Sequence, residues 1–308
     1  MDENPNKDIA FAALRLPPAV ALDRRNKFDV GIVPIGSNGH RFLRVARYDK
    51  EPLSSLDLSN EVNWNRDARR PLERAGFRVP DNIVYNPKTK WALFEFMNGV
   101  SCNEAQMRVH IDEIARLCAE ISKIPLKKIP NGVASWFHKR VCDAFNNFLG
   151  VYSSRSEELS KVIDKIDPKE GFVHGDFKID NLLFDPDNRN PFAIVDAEFG
   201  TNLDRPDRCL PRYLDAAYFY HLLHCQFHDP DLAEEFKDAF IKHLGISDSI
   251  ELAAFEQEFT LTVLERTVSM GRHFIWERDP SKLVDDSRRL EPVNYEKLID
   301  SALVALTI

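Results

Sequence analysis

Residues 173–181 read Val173-His174-Gly175-Asp176-Phe177-Lys178-Ile179-Asp180-Asn181, and an apolar run further along ends in Ile194-Val195-Asp196. These residue types suit the transfer of a phosphoryl group from Mg·ATP to a hydroxyl. Such a reaction needs an acceptor beside the attacking hydroxyl and hard oxygen ligands for Mg²⁺. Asp176 is the candidate for the first role. Asn181 and Asp196 are the candidates for the second, one with an amide oxygen and one with a carboxylate. The short spacing from Asp176 to Asn181 lets one turn of loop present both toward a common centre. Lys178, between them, can reach a transferring phosphoryl group as a point charge. His174 is better suited to orienting the loop by hydrogen bonding than to reacting. The competing explanation is a capped turn whose polar side chains satisfy backbone donors; the strand-end Asp196 at a suitable spacing favours the catalytic one.

Positioning these residues requires an organised chain on either side. Phe28–Ile35 is rich in β-branched residues, Gly36-Ser37-Asn38-Gly39 reads as a tight turn, and Arg41–Ala46 reads as the returning strand. Leu58–Ala75 reads as a helix stopped by Gly76 and followed by Pro80. Ile83–Tyr85 and Trp91–Phe96 read as two more strands around Asn86-Pro87-Lys88. Asn98-Gly99 breaks the pattern. Beyond it, Met107, Ile111, Ile114, Cys118 and Ile121 recur at helical spacing, as do Phe137, Val141, Ala144 and Phe148. Leu159, Val162, Ile163 and Ile166 suggest a third helix. These stripes are read as core. Short strands are expected at Asn181–Phe184 and Phe192–Val195, and helices at Arg212–Cys225, Leu232–Leu244, Leu252–Phe274 and Tyr295–Leu306. The expected architecture is α+β, with a small β-rich N-terminal lobe (1–97) and a larger, mainly helical C-terminal lobe (98–308) separated by a cleft.

Bulk properties narrow the class. The 308 residues are 44% hydrophobic and 29% charged, ordinary for a globular protein. The net charge of -8 disfavours a nucleic-acid partner, which calls for a basic face. Five cysteines, an odd number with no Cys-x-x-Cys pair, fit a reducing compartment better than a disulfide framework. The acidic N-terminus does not read as a signal peptide, and no apolar run is long enough to span a bilayer. A cytoplasmic protein without a membrane partner is expected.

The segment from His174 to Asn181 resembles the His-Gly-Asp-x-x-x-x-Asn loop of the aminoglycoside phosphotransferase and choline kinase-like family, which shares the bilobal protein-kinase-like fold. Val195-Asp196-Ala197-Glu198 resembles the acidic strand end that follows in that family. Arg212-Tyr213-Leu214-Asp215-Ala216-Ala217 resembles its Asp-Leu-Ala helix start, which braces the catalytic loop. The resemblance implies ATP and Mg²⁺ as cofactors and a small hydroxylated molecule as substrate. It also implies a basic residue on the third strand holding the α- and β-phosphates, matched by Arg44, with a helix glutamate as its partner, matched by Glu61. Leu93-Phe94-Glu95-Phe96-Met97-Asn98-Gly99 resembles the hinge that meets adenine through backbone groups, so Glu95, Phe96 and Met97 are expected there. Two departures stand out. No Gly-x-Gly-x-x-Gly loop precedes Phe28, where Leu22-Asp23-Arg24-Arg25-Asn26 lies instead, and arginine replaces the usual lysine at position 44.

Other features carry less chemistry. Asp67 competes with Glu61 as a partner for Arg44. Glu198 serves equally as a metal ligand or a salt-bridge partner. His221, His224 and His228, with Asp229, have a spacing that invites zinc, but aromatic neighbours and the lack of a further ligand favour packing. Asp204, Asp207, Glu277 and Asp279 would suit a cationic acceptor, and Arg205, Arg208 and Arg272 an anionic one. The acceptor, the choice of ATP over GTP and the oligomeric state stay open. A pseudokinase that binds a nucleotide or partner without catalysis is the alternative, supported by the missing glycine loop. A protein kinase is another, opposed by the lack of an Ala-Pro-Glu segment.

Overall fold

The computed structural model describes residues 5–17, 20–24, 28–35, 39–47, 58–126, 133–142, 145–146, 150–185, 191–197, 210–271 and 292–306. The chain forms two compact units, Met1–Cys102 with Asn181–Thr201 and Asn103–Asp180 with Asn202–Ile308.

The first unit is built on a sheet. Helix α1 (Pro5–Leu14) precedes strands β1 (Asp23–Arg24), β2 (Phe28–Pro34) and β3 (His40–Ala46). Helix α2 (Ser59–Arg74) follows, then β4 (Asn82–Asn86) and β5 (Trp91–Glu95). The sheet order is β1-β2-β3-β5-β4, antiparallel throughout. Strand alternation sorts β3 onto two faces. Leu43 and Val45 pack with Val33, Trp91, Leu93 and, from α1, Ala10 and Phe11. Phe42 packs on the other face with Leu58, Ala92, Phe94 and Val62 of α2. Arg44 shares the strand parity of Phe42 and so belongs to the α2 face. Gly76, at φ +89°, takes the left-handed turn that ends α2.

Three further strands belong to the same unit: β6 (Val100–Ser101), β7 (Leu182–Phe184) and β8 (Pro191–Ile194), in the order β6-β7-β8. A bridge from Arg78 to Ala193 and a hydrogen bond from Ile194 N–H to Arg78 O at 3.0 Å tie β8 to the segment after α2.

The second unit is helical. It contains α3 (Glu104–Val109), α4 (Ile111–Ser122), α5 (Val133–Phe137), α6 (Ser156–Ile166), α7 (Leu214–Cys225), α8 (Pro230–Leu244), α9 (Ser249–Gly271) and α10 (Pro292–Ala305). One core joins Phe137, Val141 and Phe145 to Leu159 and Ile163 of α6, Leu261, Leu264 and Val268 of α9, and Ile299 and Leu303 of α10. Asn103 and Gln106 form a capping box that starts α3. Asp229 caps α8, which Gly245 closes at φ +82°.

The architecture is the α+β one expected from the sequence, with a sheet-based unit and a mainly helical one. Some local features differ from the expectation, among them the short strands β1 and β6, which were not expected. The single helix expected across Met107–Ile121 is broken at His110 into α3 and α4. The helix expected from Phe137 winds as a π-turn over His138–Cys142, an i→i+5 insertion that side-chain periodicity does not reveal. Helix α1 was not expected, because its apolar residues run together from Ile9 to Leu14 instead of recurring at helical spacing.

Candidate active site

In the helical unit, the segment through Phe172 and Val173 is buried and delivers a fully buried His174. Gly175 follows at φ +87°, a left-handed turn that favours glycine. Asp215, in the first turn of α7, grips this turn. One of its carboxylate oxygens accepts the N–H of His174 at 2.6 Å and the other that of Gly175 at 2.7 Å. The N–H of Asp176 donates to His174 Nδ1 at 3.3 Å, which requires the ring proton on Nε2. Phe177, also buried, meets the Phe219 ring edge-on at 5.6 Å. The loop is thus fixed on both sides of Asp176, whose own carboxylate stays partly accessible and pairs with Lys178 Nζ at 2.6 Å. Burial pushes Asp215 up to about 6, against the pull of the His174 and Gly175 N–H groups.

In the sheet unit, Arg44 gathers the other predicted residues. Its Nη1 donates to Glu61 Oε2 at 2.9 Å and to the carboxylate of Asp196. Its guanidinium lies over the Phe28 ring at 4.7 Å. Burial works against the charge, yet the two carboxylates hold Arg44 above its ordinary value. Glu61 is pushed up to about 7, first by burial, with the Arg44 charge opposing and Asp196 adding. Asp196 follows β8 at φ +63°, a left-handed conformation that aspartate tolerates better than most residues. Asn181 precedes β7, and its carbonyl accepts the N–H of Val195 at 3.0 Å. Leu182 pairs with Ile194, so Asn181 and Asp196 flank the same end of the β7–β8 hairpin.

The remaining predicted residues are placed as follows. Glu95, at the end of β5, pairs with Arg78 and accepts the N–H of Asp81 at 3.2 Å, so it is not brought to Arg44. Met97 is buried and its carbonyl accepts the N–H of Gly99 at 3.0 Å; Phe96 is half-buried. Asp67 pairs with Arg66, which leaves the Arg44 pairing to Glu61. His221 is buried, with its ring edge toward Tyr295 and Nδ1 at 3.2 Å from Thr267 Oγ1. Among the described residues no three His, Cys, Asp or Glu side chains converge as a metal site, the α7 histidines included. Glu198, Asp204, Arg205, Asp207, Arg208, Arg272, Glu277 and Asp279 lie outside the described residues. Sequence reasoning missed Phe28 as the ring under Arg44. Phe28 sits one diagonal step from Val30, the residue opposite Arg44 on β2, and the alternation of the hairpin was the signal that could have found it.

The residues fit an anionic nucleotide and a hard cation. Arg44 Nε is buried without a hydrogen-bond partner among the described residues, a donor suited to a phosphate oxygen. Asn181 and Asp196 offer two hard oxygens, the number Mg²⁺ takes from protein when phosphates supply the rest.

A five-stranded antiparallel sheet carrying a cation on its third strand, with an acidic partner on the following helix, and a helical unit carrying a braced His-Gly-Asp loop define a kinase-like protein. Residues 36–205 match the model of the phosphotransferase enzyme family (APH), and the chain belongs to that family. Among solved structures, a Plasmodium vivax ethanolamine kinase aligns with a TM-score of 0.54 at 12% identity, over 93% of this chain and 81% of that one. An amicoumacin kinase in complex with AMP-PNP, Ca²⁺ and Ami aligns with a TM-score of 0.52 at 14% identity, over 99% and 94%. Acyl-CoA dehydrogenase family member 11 of Pongo abelii and of Homo sapiens is 24% identical over 177 residues, 49% of this chain and 22% and 23% of those proteins. The chain therefore spans less than a quarter of the length of those relatives.

Proposed function

We propose that this protein transfers the γ-phosphoryl group of ATP to a hydroxyl of a small molecule. The observation that carries the reading is the joint hold of Glu61 and Asp196 on the half-buried Arg44. A half-buried arginine stacked on Phe28, with its buried Nε unpaired among the described residues, is what a phosphate-holding cation requires. Family membership and the likeness to a kinase solved with AMP-PNP support the nucleotide.

Each residue then has a role. Asp176 orients the acceptor hydroxyl and takes its proton as the bond to phosphorus forms. Lys178, paired with Asp176 at rest, turns its charge toward the transferring group. His174 holds the loop through its backbone and ring. Arg44 holds the α- and β-phosphates, and Glu61 fixes its fork. The main chain at Glu95, Phe96 and Met97 meets the adenine. Asn181 and Asp196 would hold Mg²⁺, which when bound would supply positive charge against that of the phosphates.

The setting we infer is cytoplasmic. Cys118 and Cys225 are buried thiols outside any disulfide, which suits a reducing compartment. No helix among the described residues is long and apolar enough to cross a membrane.

A Mg·ATP turnover assay over a panel of amino alcohols, sugars and aminoglycosides tests the reading. ADP release that depends on an acceptor and falls roughly 10²–10⁴-fold in Asp176→Asn, with ATP affinity kept, is expected. Full turnover in that variant would remove Asp176 from the reaction. Nucleotide binding without turnover on any acceptor would favour a non-catalytic kinase-like protein.

A further inference from the structure

The chain leading into the catalytic loop is fixed by a second carboxylate, remote in sequence. Glu258, on α9 and only 4% exposed, accepts the main-chain N–H of Lys169 through Oε1 at 3.0 Å. Its Oε2 accepts the Arg212 guanidinium, from Nε at 3.1 Å and from Nη2 at 2.8 Å. The main chains of these segments are also joined. Arg212 N–H donates to Lys169 O at 3.0 Å and Gly171 N–H to Leu210 O at 3.1 Å, around a bridge between Glu170 and Pro211. The crossing is tight: a Cβ on Gly171 would lie 2.3 Å from Arg212 Cα.

Two short arms leave this crossing. One runs from Gly171 to His174, the other from Arg212 to Asp215. They meet again where Asp215 takes the N–H groups of His174 and Gly175. A ring closed at both ends has a single register. A one-residue slip at the crossing would carry Asp215 away from the loop and move Asp176 with it. Glu258 belongs to α9, outside both arms, and binds one group from each of the two segments that cross, Lys169 N–H and the Arg212 guanidinium. Its surroundings on α9 are apolar, with Phe255 and Phe259 buried beside it. Packing alone would be served better by an apolar side chain of similar size, because a buried carboxylate is costly to desolvate.

We propose that Glu258 is a positioning residue, which fixes through Lys169 and Arg212 the register that presents Asp215 to the catalytic loop. Its effect on turnover rests on the phosphotransferase reading; its effect on the loop does not. The test is amide hydrogen exchange on the full chain, well below melting, for the wild type, Glu258→Gln and Glu258→Ala. In Glu258→Ala the amides of His174 and Gly175 should exchange roughly tenfold faster or more, as expected for the loss of a charge-assisted hydrogen bond. Glu258→Gln should fall between, since its amide oxygen still accepts from Lys169. Amides of α4 should be unchanged. In turnover, kcat should fall in the same order while KM for ATP holds.

Unchanged exchange across 172–176 in folded Glu258→Ala overturns the proposal, whatever turnover does. An equal rise in the loop and in α4 overturns it too, because it reports only lost stability. If Glu258→Ala does not fold, Arg212→Lys, which keeps the charge but not the fork, is read by the same exchange criterion. A wild type without turnover would count against the phosphotransferase reading and leave the exchange result standing.

Discussion

The carboxylate of Asp215 accepts the main-chain N–H of His174 at 2.6 Å while almost wholly removed from water. Burial is the main reason its pKa stands at about 6 instead of 3.8; the two N–H groups oppose it, Asp176 adds, and Arg266 opposes. A raised acid favours the protonated form on folding. Its contribution to stability is therefore complete below 3.8 and is lost as the pH rises through about 6. Denaturant melts should show the wild type losing about 3 kcal/mol relative to Asp215→Asn over that window. Turnover should run the other way. Neutral Asp215 cannot accept both N–H groups, so wild-type activity should fall below about 6, and Asp215→Asn should be weakly active at every pH.

Arg44 and Glu61 should respond differently to substitution. Arg44→Ala leaves a buried carboxylate uncompensated and should destabilise the chain by about 3–5 kcal/mol, besides raising KM for ATP. Glu61→Gln removes a charge whose pKa burial has lifted from 4.5 to about 7. The wild type loses this contribution as the pH rises through that window, so the melting temperature of Glu61→Gln should gain on the wild type toward alkaline pH. A deficit that instead widens with pH would mean the Glu61 charge is a net stabiliser.

Gly171 and Gly245 should tolerate alanine unequally. At Gly171 the new Cβ meets the backbone of Arg212 at 2.3 Å, and one of the two chains must move. Gly171→Ala should destabilise by about 1–3 kcal/mol, visible as a fall of several degrees in Tm. At Gly245, where φ is +82° and nothing lies within 4 Å, only the left-handed backbone opposes the change. About 1 kcal/mol is expected there.

Chelation separates a bound cofactor from a structural metal. EDTA should abolish turnover and leave the Tm of the nucleotide-free chain unchanged. Mg·ATP at a hundredfold excess over its Kd should then stabilise by about 2.7 kcal/mol. A drop in Tm on EDTA alone would point to a structural metal and reopen the zinc reading of His221, His224 and His228.

The sequence made the sheet unit legible in some detail. Two strands around a glycine turn, a helix stopped by Gly76, and two strands around Asn86-Pro87 are β2, β3, α2, β4 and β5 with ends shifted by a residue or two. Local propensity and turn chemistry decide such elements. The loop from His174 to Asn181 was legible because its residue types are unusual together, and Asp215 followed from its helix start. The latch at Glu258 was not. Its partners Lys169 and Arg212 lie 89 and 46 residues away, and no local pattern encodes such a pairing. Only the placement of a glutamate among Phe255, Phe259 and Leu261 hinted at it. The π-turn at His138–Cys142 was hidden for another reason: one inserted residue leaves the apolar spacing nearly helical.

The sheet unit is assembled from two stretches of chain, with residues 103–180 made in between. Asp196 is 152 residues downstream of Arg44. At ribosomal speeds of about 5–20 residues per second, Arg44 exists for on the order of ten seconds before Asp196 has been synthesised. During that interval Glu61 alone offsets it. The hairpin that completes the unit emerges only after α3 to α6 have formed their share of the chain, so the amino-terminal sheet, first to be translated, is not first to be finished. A truncation between α2 and β8 would leave Arg44 with Glu61 as its carboxylate partner and without Asp196.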